Sequence, residues 1–197
     1  MQSPRLVPPT DVLSAPPLAD SPAKGKAVTT GLYTPEERVR RDASKWTLVQ
    51  GVLAPIQFLV FLISLGLVLR YLATGAGHDA AVISIVLKTL LLYTIMITGC
   101  IWEKDVFGVW LFAPAFYWED VFSMAVLALH TAYLVGLVTG WLSARELMLL
   151  ALAAYATYVI NAGQFIWKLR MARLQSAAQA AAQADAQAAA QATAQAA

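Results

Sequence analysis

Residues 46–70 read WTLVQGVLAPIQFLVFLISLGLVLR, and the only charged side chain in that stretch is Arg70 at its far end. A helix rises about 1.5 Å per residue, so roughly 20 apolar residues cross the ~30 Å hydrocarbon layer of a bilayer. This stretch is long enough to span. Three more apolar stretches follow at 81–101, 118–140 and 147–167, each of comparable length. The expected architecture is therefore all-α: a polytopic membrane protein with four transmembrane helices in a compact bundle. Composition agrees, with 59% of the 197 residues hydrophobic and 13% charged. A soluble domain carries roughly twice that charged share. The formal charge of +2, with no long basic run, excludes a nucleic-acid-binding field. Cys100 is the only cysteine, which excludes an intramolecular disulfide framework and any multi-cysteine metal knuckle.

Outside the spans the chain divides simply. Residues 1–45 are expected to be a mostly flexible arm, because Pro4, Pro8, Pro9, Pro16, Pro17 and Pro22 deny the first 33 residues a periodic apolar face. Residues 46–170 form the membrane domain, and 171–197 are an Ala/Gln-rich tail expected to be a frayed helix or disordered. Arg38, Arg40, Arg41 and Lys45 precede the first span and Lys168, Arg170 and Arg173 follow the fourth, whereas the first and third connections offer mainly Arg70 and Arg145. The positive-inside rule then puts both termini in the cytoplasm. The second connection, from Trp102 to about Trp118, is rich in Trp and Phe and suits the headgroup layer. Pro55 falls early in the first span, where it either bends the helix or is absorbed. The two halves share no matching motif, which argues against an inverted-repeat transporter.

The polar residues at membrane depth are the candidates for chemistry. Lys88 either sends its ammonium to the interface or serves as an internal cation. Gln50, Gln57 and Ser64 recur every seven residues along the first span, as interhelical hydrogen-bonding groups or as a pocket lining. Tyr155, Tyr158, Asn161 and Gln164 form a similar series in the fourth. Glu119, Ser123 and His130 share one face of the third, with Asp120 beside them. Neighbouring carboxylates in a poorly hydrated site can hold one proton between them and supply an acid and a base. The same two carboxylates also suit a helix N-terminus. His130 is open to an interhelical hydrogen bond, to a magnesium or haem ligand, or to proton transfer. Glu103, Lys104 and Asp105 either anchor the interface or close a pocket with the Glu119 end of the third span. No phosphate loop, dinucleotide fingerprint or HExxH motif occurs, and His78 and His130 lie too differently in the chain to form an axial pair for one haem.

Four segments also carry a family resemblance: DASKWTLVQGVLAPIQFLVF at 42–61, LYTIMITGCIWEKDVFGVWLFAPAFYWEDVFSM at 92–124, ALHTAYL at 128–134 and ATYVINAGQF at 156–165. From about Tyr33 to Arg173 the chain resembles the vinyl bacteriochlorophyllide hydratases of bacteriochlorophyll biosynthesis, from which the long Ala/Gln tail departs. The resemblance implies an integral membrane hydro-lyase that adds water to the ring-A vinyl group of a chlorophyllide or bacteriochlorophyllide, giving a 1-hydroxyethyl group. It implies no cofactor of the protein's own, since the tetrapyrrole substrate brings its magnesium. Within that frame Glu119 and Asp120 are the leading acid and base pair, and His130 orients water or ligates the substrate magnesium. Ser123 is placed to hold the water. Lys88 or the basic residues at the cytoplasmic mouth would receive the propionate. Trp102, Trp110, Phe116, Tyr117 and Trp118 would cover the pigment, and Gln57, Glu103 and Asn161 would complete a polar pocket. The expected partners are the tetrapyrrole, membrane lipid and neighbouring pigment-biosynthesis enzymes, with self-association open and no nucleic acid. The alternative is a non-catalytic tetrapyrrole-binding or assembly protein of the photosynthetic membrane.

Overall fold

A computed structural model describes residues 31–196. The expected flexibility of residues 1–30 lies outside that range. Five helices follow in order: α1 Pro35–Ala43, α2 Lys45–Thr74, α3 His78–Phe107, α4 Tyr117–Thr139 and α5 Ala144–Ala196. The last four are each long and apolar enough to cross a membrane.

Local chemistry sets the helix boundaries. Thr34 and Glu37 form a reciprocal capping box with Pro35 in the first turn, so the end of the supposed arm is a folded helix. Ser44 both ends α1 and caps α2 through the Trp46 N–H. Gly75 and Gly108 end α2 and α3 at φ of 72° and 81°, left-handed values that glycine adopts without strain. Pro55 lies about three turns into α2 and does not end it. α3 runs on through Trp102–Phe107, so the second connection is shorter than the sequence suggests and Glu103, Lys104 and Asp105 belong to the helix. The Ala/Gln segment continues α5 as helix to Ala196, exposed beyond Ser176.

Packing is densest within two antiparallel hairpins, α2–α3 and α4–α5, which meet each other along a thinner seam. Phe61, Val68, Ile85, Leu92, Val126 and Met148 fill the shared core. Polar contacts also cross the seam: the Ser64 and Tyr155 hydroxyls lie 2.6 Å apart, and Lys88 Nζ lies 3.0 Å from His130 Nε2. The outer faces present Leu59, Ile63, Ile97 and Val138 to the lipid. At the end that carries the α3–α4 loop, α1 closes the bundle. Tyr33 stacks on Phe107, the Arg41 guanidinium lies 4.7 Å from the centroid of the Tyr33 ring, and Arg40 Nε donates to the Val106 carbonyl. Tyr33 is buried there with Val106 and Phe116, and burial raises its phenol above the usual tyrosine range.

Candidate active site

The loop end of the bundle gathers the carboxylates. Glu103 comes from the last turns of α3 and Asp120 from the first turn of α4; both are buried, at 4% and 5% exposure. Two consecutive amides of the connecting loop hold them. Phe112 N–H donates to Asp120 Oδ2 at 2.8 Å and Ala113 N–H to Glu103 Oε2 at 3.1 Å. Phe112 takes a φ of 60° in this grip, a left-handed conformation that a bulky residue adopts only when its surroundings impose it. The two consecutive amides thereby hold the two carboxyl groups close to one another. Two carboxyl groups held close together in a poorly hydrated site favour sharing one proton over carrying two charges.

The expected pairing of Glu119 with Asp120 does not form. Successive residues on a helix point about 100° apart. Glu119 instead makes an ion pair with Lys168 of α5 at 2.5 Å, and Lys168 Nζ also donates to the Ala115 carbonyl. Asp120 turns the other way, to Glu103. A cavity of about 420 Å³ lies beside the ion pair, walled by Glu119, Gln164, Trp167 and Lys168.

His130 is not part of this cluster. It lies ten residues beyond Asp120, roughly 15 Å along the helix axis. The Val126 carbonyl can only accept, so His130 Nδ1 donates to it at 2.8 Å and Nε2 accepts from Lys88 Nζ. Both ring nitrogens are engaged, which leaves no lone pair for a substrate magnesium ion. Lys88 is fully buried and 4.1 Å from the centroid of the Tyr158 ring, so it neither reaches the interface nor waits at a mouth for a propionate.

The remaining candidates separate by position. Trp102 and Phe116 face inward, packed edge to face, and Trp102 Nε1 donates to Thr47 Oγ1. Trp110, Tyr117 and Trp118 face outward. Ser123 accepts a hydrogen bond from Asn161 Nδ2 at 2.9 Å, about one turn beyond the carboxyl pair. Gln57 is 2% exposed, and neither its amide nitrogen nor its oxygen has a hydrogen-bond partner among the described residues. Sequence reasoning counts Lys168 only among the basic residues at the cytoplasmic mouth, although it extends the series Asn161, Gln164 at helical spacing. No sequence signal announces the Phe112 and Ala113 amides as ligands.

Comparison with known proteins adds to this geometry. The family model described as 2-vinyl bacteriochlorophyllide hydratase matches residues 33–171. A 2-vinyl bacteriochlorophyllide hydratase of Cereibacter sphaeroides is 71% identical over 147 residues, covering 75% of this chain and 91% of the relative. That of Rhodobacter capsulatus is 69% identical over 148 residues, covering 75% of this chain and 86% of the relative. No solved structure matches. The matched region contains both carboxylates, the loop between them and all four spans, and on this ground the chain belongs to the 2-vinyl bacteriochlorophyllide hydratase family.

Proposed function

We propose that the protein adds water across the ring-A vinyl group of a chlorophyllide or bacteriochlorophyllide, producing a 1-hydroxyethyl substituent, and that Glu103 and Asp120 carry the proton transfers. The observation that carries this reading is the buried pair of carboxyl groups gripped by two consecutive loop amides in a member of a hydratase family. Hydration needs one acid and one base in the same place, and a singly protonated pair is both. The helix termini favour a division of roles. Asp120 sits in the first turn of α4, where the dipole favours negative charge, and Glu103 near the end of α3, where it does not. Glu103 then delivers its proton to the terminal vinyl carbon, forming the new C–H bond. Cationic character at the inner carbon spreads into the macrocycle. Water adds its oxygen there while Asp120 takes the water proton, and transfer across the carboxyl pair restores the starting state. The sum is one water gained and no net electron transfer, so no redox partner enters.

The surroundings support that role. Trp102, Phe107 and Phe116 pack together behind Glu103 and limit access of bulk water. Tyr117 and Trp118, 47% and 65% exposed, offer flat faces beside the loop for a planar pigment. Lys168, at the wall of the adjoining cavity, is the cation placed to meet a substrate carboxylate. Arg38, Arg40, Arg41, Lys45, Lys168, Arg170 and Arg173 all lie at this end of the chain's spans, which favours a cytoplasmic site in a bacterial inner membrane.

Purified protein supplied with vinyl pigment, without nicotinamide or any electron donor, should form the hydroxyethyl product. In ¹⁸O-labelled water the new hydroxyl should carry the label. Product oxygen from any other source, or stable pigment binding with no product, overturns the reading and favours a carrier.

A further inference from the structure

We infer that the seam between the two hairpins is an internal water-binding column that ends beneath the carboxyl pair. Its existence follows from polar atoms the protein itself leaves unpaired; its role as the supply of reacting water rests on the hydration reading above.

Gln57 is the clearest case. Its amide is buried in an apolar bundle with both the donor nitrogen and the acceptor oxygen lacking partners among the described residues. Asn161 Oδ1, Gln164 Oε1 and the hydroxyl of the fully buried Tyr133 share that condition. These groups are not scattered. Phe61 packs on Tyr158 and Ser64 bonds Tyr155, an antiparallel register that brings Gln57 level with the turn of α5 that holds Asn161. Gln164 follows one turn nearer the loop end, and Lys168 one turn beyond it. In the other direction the Lys88–His130 contact comes next, with Tyr133 one turn past His130. A polar file thus runs from Lys168 past the middle of the bundle.

The chemistry of the unpaired atoms identifies the occupant. Acceptors predominate, which is wrong for an anion, while a donor amide and a hydroxyl are mixed among them and Lys88 and Lys168 flank the file, which is wrong for a cation. A small neutral molecule that both donates and accepts fits, and water is that molecule. Ser123 ties the file to the active site. It shares a hydrogen bond with Asn161 and stands about one turn beyond Asp120, so water passed along the amides arrives at the base that must deprotonate it.

Radiolytic hydroxyl-radical labelling of the full chain in lipid nanodiscs, run in ¹⁸O water and read by mass spectrometry, reports water beside buried rings. Tyr133 and Tyr158 should label above the lipid-facing Phe58, although all three lie within the membrane. Labelling of Tyr133 and Tyr158 no greater than that of Phe58 overturns the column. Q57L and N161L replace amides that carry unpaired polar atoms with apolar groups and should lower Tyr158 labelling to the Phe58 level. Both should also reduce turnover with the pigment KM unchanged. Turnover unchanged after the label is lost overturns the supply role. A labelled wild-type column in a protein that forms no hydroxyethyl product sinks the hydration reading and leaves the column standing.

Discussion

Asp120 and Glu119 are adjacent in sequence and opposite in circumstance. One is held beside Glu103 under the loop amides, and the other is tied to Lys168. The acid and base roles therefore predict a graded result. E103Q or D120N should each cut turnover by about 10²–10⁴-fold, the usual worth of a positioned proton-transfer group, while pigment binding persists. E119Q should lose less turnover and raise the pigment KM through Lys168. Steady-state kinetics with a parallel pigment-binding titration separates the two patterns. The Lys88–His130 contact predicts a thermodynamic signature instead. H130L leaves Lys88 buried without its acceptor and should destabilise the fold by about 1–3 kcal/mol. The K88M/H130L double variant removes both polar groups and should be more stable than H130L alone. Thermal unfolding in a fixed detergent checks the order. Sequence reading marked Lys88 and His130 as worth explaining but assigned them to substrate. Their mutual contact depends on how α3 and α4 are registered, which spacing within either helix does not encode.

At the level of elements, the four spans were legible because apolar length is itself the physical requirement for crossing lipid. The end of α3 is not legible in hydropathy. Hydropathy falls at Glu103, Lys104 and Asp105, yet the helix continues until Gly108 supplies a left-handed stop. The signals were present: a basic residue, Lys104, in the last turn and a glycine just after it. The Thr34–Glu37 capping box is equally visible in the sequence and marks the start of α1. Where α3 stops decides the chemistry, because the short loop can then lay the Phe112 and Ala113 amides on carboxylates from two helices. G108A tests this coupling. A side chain at φ of 81° should cost about 1 kcal/mol and displace the loop that follows. The expected outcome is a small fall in melting temperature with a disproportionate loss of turnover. Equal, small effects on both would mean that the loop tolerates displacement without disturbing the pair.

Across the whole molecule, the working parts lie in two loosely joined hairpins capped by α1, and the tail of α5 stands outside them. The family match ends at residue 171, whereas α5 continues to Ala196. Past Ser176 its residues are exposed, and they are almost wholly alanine and glutamine, with no large apolar side chain to bury. Helix here follows from alanine's high intrinsic propensity rather than from packing. That is why composition could place the tail outside the membrane domain but could not decide between a frayed helix and a continuous one. Among the described residues, the one side-chain bond from the tail to the body is the exposed contact of Arg38 with Gln179 at 3.4 Å, too long to carry much energy. Deletion of residues 181–197 keeps even that bond and should leave stability within about 0.5 kcal/mol of the full chain, as for changes at an uncommitted surface. Turnover and pigment KM should also be unchanged, because among the described residues none past Gln175 borders the cavity by Lys168. Far-ultraviolet circular dichroism should nevertheless fall by the helical content of the deleted segment. A truncated protein that unfolds earlier or turns over more slowly would show that the tail contacts the body, a neighbouring chain or the membrane surface in a way its exposed alanine faces do not suggest.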